Sequence, residues 1–129
     1  MYKIAFVCVD FNSWEYTRKL CRSLEGQVGL GVEFSLQCVV MDNSTNEENS
    51  RKLCESLDGL DWVIYRHANK NAGYFGGINL GLDCLNLSEW DFLVVCNNDL
   101  EFDVDFCNKL VSKNYRRDVF FGLSRRGYF

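Results

Sequence analysis

Polar side chains that could bind a ligand collect directly after four apolar stretches of this sequence. Carboxylate and amide oxygens accept hydrogen bonds and bind hard cations such as Mg²⁺. The clusters are DFNS (10–13), DNST (42–45), RHANKN (66–71) and NND (97–99). A single Asp after a strand is often a helix cap, but ligands of open α/β sheets bind beyond the carboxyl ends of the strands. We therefore expect these clusters to form a polar binding site at one edge of a sheet.

Glycine is concentrated in the stretch NKNAGYFGGINLG, from Asn69 to Gly81. Gly73, Gly76 and Gly77 let the backbone approach a ligand closely, because glycine has no Cβ. An apolar helical pattern begins inside the stretch, and the free N–H groups at the start of a helix favour anions such as phosphate. The stretch is therefore a candidate phosphate site, and a turn shaped only by packing is the alternative.

The segment DFLVVCNNDLEF carries two amides and a carboxylate to the same edge, on Asn97, Asn98 and Asp99. One carboxylate with neutral oxygens gives Mg²⁺ or Mn²⁺ few protein ligands. Such ions commonly complete their shell with water and substrate phosphates. Asp99 is therefore the candidate metal ligand, and a turn rich in Asn and Asp is the alternative.

Signatures of other nucleotide-binding and catalytic sites are missing from the sequence. The dinucleotide fingerprint G-x-G-x-x-G should follow the first strand, where this chain has DFNSWE, and no P-loop motif G-x-x-x-x-G-K-[ST] occurs. His67 is the only histidine, and no Ser-His-Asp or Cys-His set suggests itself. We expect His67 to be a neutral surface side chain.

Four apolar runs rich in β-forming residues predict strands that are buried on both faces of a parallel sheet. They are Tyr2–Val9, Phe34–Met41, Trp62–Tyr65 and Phe92–Cys96. Helical stripes follow each run, at Thr17, Leu20, Cys21 and Leu24; Ser50, Leu53, Cys54 and Leu57; Ile78, Leu82 and Leu85; and Phe106, Cys107, Leu110 and Val111. The β-α-β-α-β-α-β-α order predicts an α/β fold with a Rossmann-like, mostly parallel sheet flanked by helices.

Local signals also predict where some elements end. STNEE supplies a capping box for the second helix, and Gly59 ends that helix. The fourth helix is expected from about Asp103 to Ser112. VFFGL (119–123) is a candidate edge strand, and the final GLSRRGYF is typical of neither a strand nor a helix.

Length and composition fit one globular domain. A chain of 129 residues with 47% hydrophobic residues can bury a core, and no apolar run approaches the roughly 20 residues of a membrane span. The start, MYKIAFVCVD, is typical of a first strand rather than a signal peptide.

Seven cysteines without a C-x-x-C pair indicate reduced core residues of a cytosolic protein rather than disulfides or a zinc site.

The net charge of −4 is unevenly distributed, with basic side chains concentrated in residues 113–129. The remaining part is acidic, which argues against nucleic acid as a partner. We therefore separate an α/β domain, residues 1–112, from a basic tail, residues 113–129. The tail could contact a membrane surface, but a solvated end is favoured because no strong amphipathic pattern accompanies it.

The ordered motifs resemble those of the inverting family-2 glycosyltransferases of GT-A fold, especially the rhamnosyltransferase-like branch. VCVDFN resembles that family's V-x-V-T-Y-N, and VVMDNST resembles its V-V-D-N-x-S. NKNAGYFGGINLG is similar to N-x-G-F-A-G-G-x-N-x-G, and VVCNNDLEF to L-L-N-N-D-V. The resemblance spans roughly residues 3 to 111 and implies that residues 1–112 bind a nucleotide sugar.

The resemblance also implies roles for individual residues. Asp42 would hydrogen-bond the base, with the Val9–Asp10 backbone and Asn12 beside it. Asn98 would lie near the ribose, and Asp99 would hold Mg²⁺ or Mn²⁺. The family's metal-binding motif is D-x-D, and this chain has NND in its place, so Asp99 is the one carboxylate of the motif. The pocket around base, ribose and diphosphate would be shaped by Asn71, Gly73, Gly76, Gly77 and Asn79.

The implied chemistry is displacement at the anomeric carbon of a UDP-, dTDP- or GDP-sugar by an acceptor hydroxyl, with inversion. The acceptor would be a carbohydrate or a lipid-linked molecule in surface polysaccharide synthesis. We expect a cytoplasmic location, with contact to the inner face of the membrane as an option. The family's catalytic base lies further downstream than any matching segment of this chain, so it has no counterpart here.

Four other interpretations stay open at this point. The chain could be a fragment of a longer enzyme, with residues 113–129 as the truncated start of the acceptor half. It could also be a short chain that binds the donor and needs a partner, or a non-catalytic nucleotide-binding module or assembly subunit. Self-association is expected where a missing half would pack. A flavodoxin-like or receiver-type domain is the weakest alternative, since no acidic pair follows the first strand.

Overall fold

The computed structural model describes residues 1–27 and 33–112, and its elements follow the predicted order. These residues form β1 (Tyr2–Asp10), α1 (Trp14–Glu25), β2 (Phe34–Asp42), α2 (Glu47–Leu57), β3 (Val63–His67), α3 (Gly73–Leu82), β4 (Phe92–Val95) and α4 (Phe106–Ser112), with a 3₁₀ turn at Leu87–Glu89 before β4. The predicted alternation of strands and helices is confirmed.

The strands form one parallel sheet in the order β3-β2-β1-β4. β1 lies between β2 and β4, and its residues from Ile4 to Asp10 are buried. β1 and β2 pair in register over their whole length, so Asp10 and Asp42 are neighbours at the carboxyl edge. The predicted α/β class, a parallel sheet flanked by helices, is therefore confirmed.

Alternate side chains of β1 belong to two separate hydrophobic clusters, because successive strand residues point to opposite faces. Phe6 and Cys8 pack with residues of α1, α2 and α4. Val9 packs with Ile78 of α3 on the other face. Asp10 follows the same alternation as Cys8, so its carboxylate points toward the side of α1 and α2.

Several element ends differ from the predictions by a few residues. β1 and β2 each continue one residue further, because the parallel ladder extends to Asp10 and Asp42. The fourth helix begins at Phe106 rather than near Asp103. The predicted capping box of α2 is wrong, since the N-cap is Asn46, whose side chain accepts a hydrogen bond from the backbone N–H of residue 49.

The buried face of α2 also differs from the predicted stripe. Cys54 is exposed and Ser50 is half-buried. The buried residues of this helix are Asn49, Leu53 and Leu57. These positions repeat every four residues. Because the first of them is the polar Asn49, a pattern of apolar residues alone does not include it. Asn49 is buried because it has hydrogen-bond partners in the interior.

Most of the cysteines are core residues, as expected. Hydrogen bonding to Cys21 and Cys8, together with burial, raises the pKa of the Cys38 thiol well above its ordinary value. Burial raises the pKa of Cys107 to about 12. A protonated thiol is a poor nucleophile and metal ligand, so these groups serve packing. Cys54 is the exposed exception.

The basic tail, the candidate strand VFFGL and the final GLSRRGYF lie outside the described residues. Within residues 1–27 and 33–112, no helix has both the length and the apolar character to cross a membrane.

β4 exposes 41% of Leu93 and 45% of Val95. Self-association through such an apolar surface stays a prediction.

Gly81→Ala is expected to lower the free energy of unfolding by about 1–3 kcal/mol. A Cβ at this position would lie 2.7 Å from Val7 Cγ1 and 3.1 Å from Met41 Cγ, so α3 would have to move away from the sheet. Gly26→Ala is the matched control, because the nearest atom to its Cβ is the Arg22 carbonyl oxygen at 3.9 Å. Urea unfolding measures both, and an unchanged midpoint for Gly81→Ala would contradict close packing of α3.

Candidate functional site

A cavity of about 490 Å³ opens at the carboxyl edge of the sheet, where β1 and β4 end and α3 begins. We call it the edge cavity. Five of the predicted site residues line it: Val9, Asn71, Gly73, Asn98 and Asp99. The structure therefore brings the start of the glycine-rich helix and the candidate metal ligand to one opening.

The start of α3 places backbone amides beside the edge cavity. Gly73 has a φ of +72°, a left-handed conformation that glycine adopts without strain. Its N–H donates to Asn71 Oδ1 at 2.9 Å, which holds the loop before the helix. The next amides of the first turn have no partner within the helix, and with the helix dipole they favour an anion.

Asp99 lines the edge cavity together with Asn97 and Asn98. In the described part of the chain, no group of three His, Cys, Asp or Glu side chains could hold a metal ion. A cation at Asp99 would therefore complete its shell with water, amide oxygens and ligand phosphates. This all-oxygen donor set fits Mg²⁺ or Mn²⁺ in a site that depends on its substrate for further ligands.

Asp10 lies beneath the edge cavity rather than in its wall. Its carboxylate is fully buried and accepts hydrogen bonds from side chains of two helices and two loops. The donors are Thr17 Oγ1 at 2.5 Å, Asn49 Nδ2 at 2.8 Å, Ser44 Oγ at 3.1 Å and Asn98 Nδ2 at 3.4 Å. These bonds satisfy the charge that burial would otherwise make costly.

Asp42 is also fully buried and lies outside the lining of the edge cavity. Its Oδ2 accepts a hydrogen bond from the Tyr65 hydroxyl at 2.7 Å, and its Oδ1 accepts one from the Ser44 backbone N–H at 2.9 Å. Burial raises the pKa of a carboxyl, but hydrogen bonds from Ser44 and Tyr65 outweigh it and lower the pKa of Asp42 from its ordinary value of 3.8. Asp42 is therefore ionised and already hydrogen-bonded in this arrangement, and its contact with a nucleotide base stays a prediction.

The other predicted residues lie at different distances from the cavity. Asn12, with a φ of 51°, joins the two loops by accepting a hydrogen bond from the Asn46 N–H at 3.1 Å. Gly77 faces the sheet, and Gly76 lies one turn into α3. Asn79 is exposed further along the same helix. None of the four lines the edge cavity.

Asn43 is a cavity residue for which the sequence motifs predicted no individual role. Its Nδ2 donates to the Gly73 carbonyl at 2.8 Å, and its buried Oδ1 has no hydrogen-bond partner among residues 1–27 and 33–112. A Cβ on Gly77 would lie 2.7 Å from that Nδ2 and 2.8 Å from Val9 Cγ2. Gly77 is therefore required for the contact by which Asn43 holds the start of α3. The DNST motif shows a polar residue at this position, but only the fold shows that its hydrogen-bond partner is the Gly73 carbonyl.

Aromatic side chains form another part of the edge cavity, one that the sequence motifs did not predict. Phe11, Tyr16 and Tyr74 line it and are 49%, 45% and 40% exposed. Burial raises the pKa of Tyr74, which keeps its hydroxyl protonated. These rings offer apolar surfaces beside the polar residues. No periodicity in the sequence distinguishes them from core aromatics.

The third polar cluster of the sequence faces a second cavity, of about 400 Å³. His67 and Lys70 line this second cavity together with residues at the start of α2. Asn71 lines both cavities. The edge cavity and this second cavity therefore adjoin at Asn71.

The chain matches glycosyl transferase family 2 over residues 6–129 and belongs to that family. The flavodoxin-like and receiver-type alternative is therefore set aside. A search of curated proteins found no match for the chain.

Solved structures of TarS from S. aureus share the fold. One TarS structure has a TM-score of 0.67 at 20% identity, covering 85% of this chain and 19% of that chain. A shorter TarS chain in complex with UDP-GlcNAc has a TM-score of 0.68 at 20% identity, covering 85% of this chain and 30% of that one. The same protein in complex with UDP has a TM-score of 0.67 at 20% identity, covering 85% and 31%. The present chain therefore spans about a fifth to a third of these structures.

Tyr65→Phe is expected to lower the free energy of unfolding at pH 7 by about 1.5–3 kcal/mol, because it removes a hydrogen bond to a buried carboxylate. The lowered pKa of Asp42 stabilises the fold above pH 3.8, and this contribution is lost as the pH falls through the folded-state pKa. The difference between the two proteins should therefore shrink below that pH.

Urea unfolding between pH 3 and pH 7 measures this effect. Tyr2→Phe is the control, because that side chain is 43% exposed and the same hydroxyl is removed. A Tyr65→Phe difference that stays constant across the range would show that Asp42 is not its source.

Proposed function

We propose that this chain binds a nucleotide-diphosphate sugar in the edge cavity and transfers the sugar to an acceptor hydroxyl with inversion. The meeting of Gly73 and Asp99 at one opening carries this proposal. Backbone amides at a helix start and a ligand for a hard cation are together complementary to a diphosphate. Membership of glycosyl transferase family 2 supports the same class of reaction.

The cavity residues would divide the donor molecule between them. The first-turn amides of α3 would bind the diphosphate, and Asp99 would hold a divalent cation. When bound, that cation neutralises negative charge on the departing nucleotide. Asn71 and Asn98 would hydrogen-bond sugar hydroxyls, and the exposed ring of Phe11 would contact the base.

UDP-linked sugars are the first donors to test, because similar TarS structures contain UDP-GlcNAc and UDP. The dTDP- and GDP-linked donors remain in the proposal, since the cavity residues do not select a base. A carbohydrate or lipid-linked acceptor, surface polysaccharide synthesis and the rhamnosyltransferase-like branch rest on the motif resemblance alone.

The base that activates the acceptor is assigned to no described residue. Asp99 is the only carboxylate that lines the edge cavity within residues 1–27 and 33–112, and it is assigned to the cation. Asp10 and Asp42 are fully buried. This observation favours a second candidate function, a nucleotide-sugar-binding module that does not itself catalyse transfer.

Asp99→Ala is expected to weaken binding of UDP in the presence of Mn²⁺ by about tenfold or more, which corresponds to roughly 1.4 kcal/mol. The reason is that the cation would lose its charged protein ligand while the amides of α3 remain. Calorimetric titration with and without Mn²⁺ measures the change, and the effect should be small without the metal.

Asp83→Ala is the matched control, since it removes an exposed carboxylate at the far end of α3. Equal Mn²⁺-dependent affinity in Asp99→Ala and the parent chain would contradict the metal role. Binding of a UDP-sugar without transfer or donor hydrolysis would favour the module. Failure of UDP, dTDP and GDP to bind the folded chain would overturn both functions.

A further inference from the structure

The buried carboxylate of Asp10 has no cationic partner in the described part of the chain. None of the ion pairs there includes it, and its side chain is fully buried. An ionised carboxylate only accepts hydrogen bonds, whereas a hydroxyl or a carboxamide group can either donate or accept them. Each side chain that hydrogen-bonds Asp10 must therefore point an N–H or O–H group toward the carboxylate.

This requirement sets the direction of the bonds that run from Asp10 to the edge cavity. The Thr17 hydroxyl has one hydrogen, which it donates to Asp10 Oδ1 at 2.5 Å. Its oxygen can then only accept, and it accepts from Asn98 Nδ2 at 3.0 Å. The same Nδ2 also donates to Ser13 Oγ at 2.7 Å and contacts Asp10 Oδ1 at 3.4 Å.

The orientation of the Asn98 carboxamide follows from these contacts. Its nitrogen lies among four acceptor oxygens, namely Asp10 Oδ1, Thr17 Oγ1, Ser13 Oγ and, at 3.5 Å, the Ser13 carbonyl, so its Oδ1 is the atom left for the edge cavity that Asn98 lines. An amide turned the other way would place oxygen against the oxygens of Asp10 and Thr17. The carboxylate thus decides which polar atom a ligand meets beside Asp99.

We propose that Asp10 is a positioning residue, which acts through Thr17 to present Asn98 Oδ1 as a hydrogen-bond acceptor in the edge cavity. The group it receives is a hydrogen-bond donor of the ligand, such as a nucleoside hydroxyl. The identity of that ligand rests on the proposed function, whereas the orientation of Asn98 is a property of the free protein.

The orientation is tested first on the free protein by nuclear magnetic resonance. The carboxamide protons of Asn98, assigned by their absence in Asn98→Asp, should exchange slowly with solvent. Asp10→Asn should speed that exchange by about tenfold or more, because an isosteric amide offers a donor where the network needs an acceptor. The affinity for UDP with Mn²⁺ should fall by about tenfold, as for one lost hydrogen bond.

Asn49→Ala is the matched control for loss of stability. Asn49 donates to the other oxygen of the same carboxylate, Oδ2, and does not contact Asn98. Asn49→Ala should therefore destabilise the fold and leave both the Asn98 exchange rate and the UDP affinity unchanged. Thr17→Val tests the relay if Asp10→Asn does not fold, and Thr17→Ser should keep the parent behaviour.

The outcomes separate this proposal from the proposed function. Faster Asn98 exchange in Asp10→Asn or Thr17→Val, with no binding of UDP, dTDP or GDP by the parent chain, supports the positioning role and overturns the nucleotide site. Unchanged Asn98 exchange in folded Asp10→Asn and Thr17→Val overturns the positioning role, whatever the chain binds. Changes of the same size in Asn49→Ala would show that Asp10 supports only the fold.

Discussion

Burial of a carboxylate at the end of the central strand is the constraint on which the site depends. Asp10 lies where β1 leaves the sheet, and a charge in that position is tolerated only when hydrogen bonds replace its water. The donors come from α1, α2 and the loops after β2 and β4. Satisfying one carboxylate therefore holds together the segments that surround the edge cavity.

Close packing of α3 on the sheet supplies the other side of the same cavity. Gly77 and Gly81 leave no room for a Cβ against β1 and β2, so the helix lies directly on the strands. The hydrogen bond from Asn43 to the Gly73 carbonyl then holds the start of this helix beside the strand ends. Different glycines of this sequence therefore have different roles. Gly77 and Gly81 allow close packing on the sheet, whereas Gly73 lies where backbone amides face the edge cavity.

The carboxyl edge of the sheet is consequently organised in two layers. Asp10 and Asp42 form a buried layer whose oxygens are already hydrogen-bonded. Asn98, Asp99 and the start of α3 form an outer layer that a ligand can reach. A nucleotide-sugar site of glycosyl transferase family 2 would use the outer layer directly and depend on the inner layer for its geometry.

The sequence by itself determined the order of strands and helices, the parallel sheet and the edge where polar residues collect, because apolar periodicity and chain order are local properties. It also identified Val9, Asn71, Gly73, Asn98 and Asp99, which line one cavity. Only the tertiary structure decided that Asp10 and Asp42 are buried while Val9, one residue from Asp10, lines the cavity, since alternate strand residues point to opposite faces. The partners of Asp10 lie up to 88 positions away in the chain, so no local pattern could show which polar groups the fold leaves for a ligand.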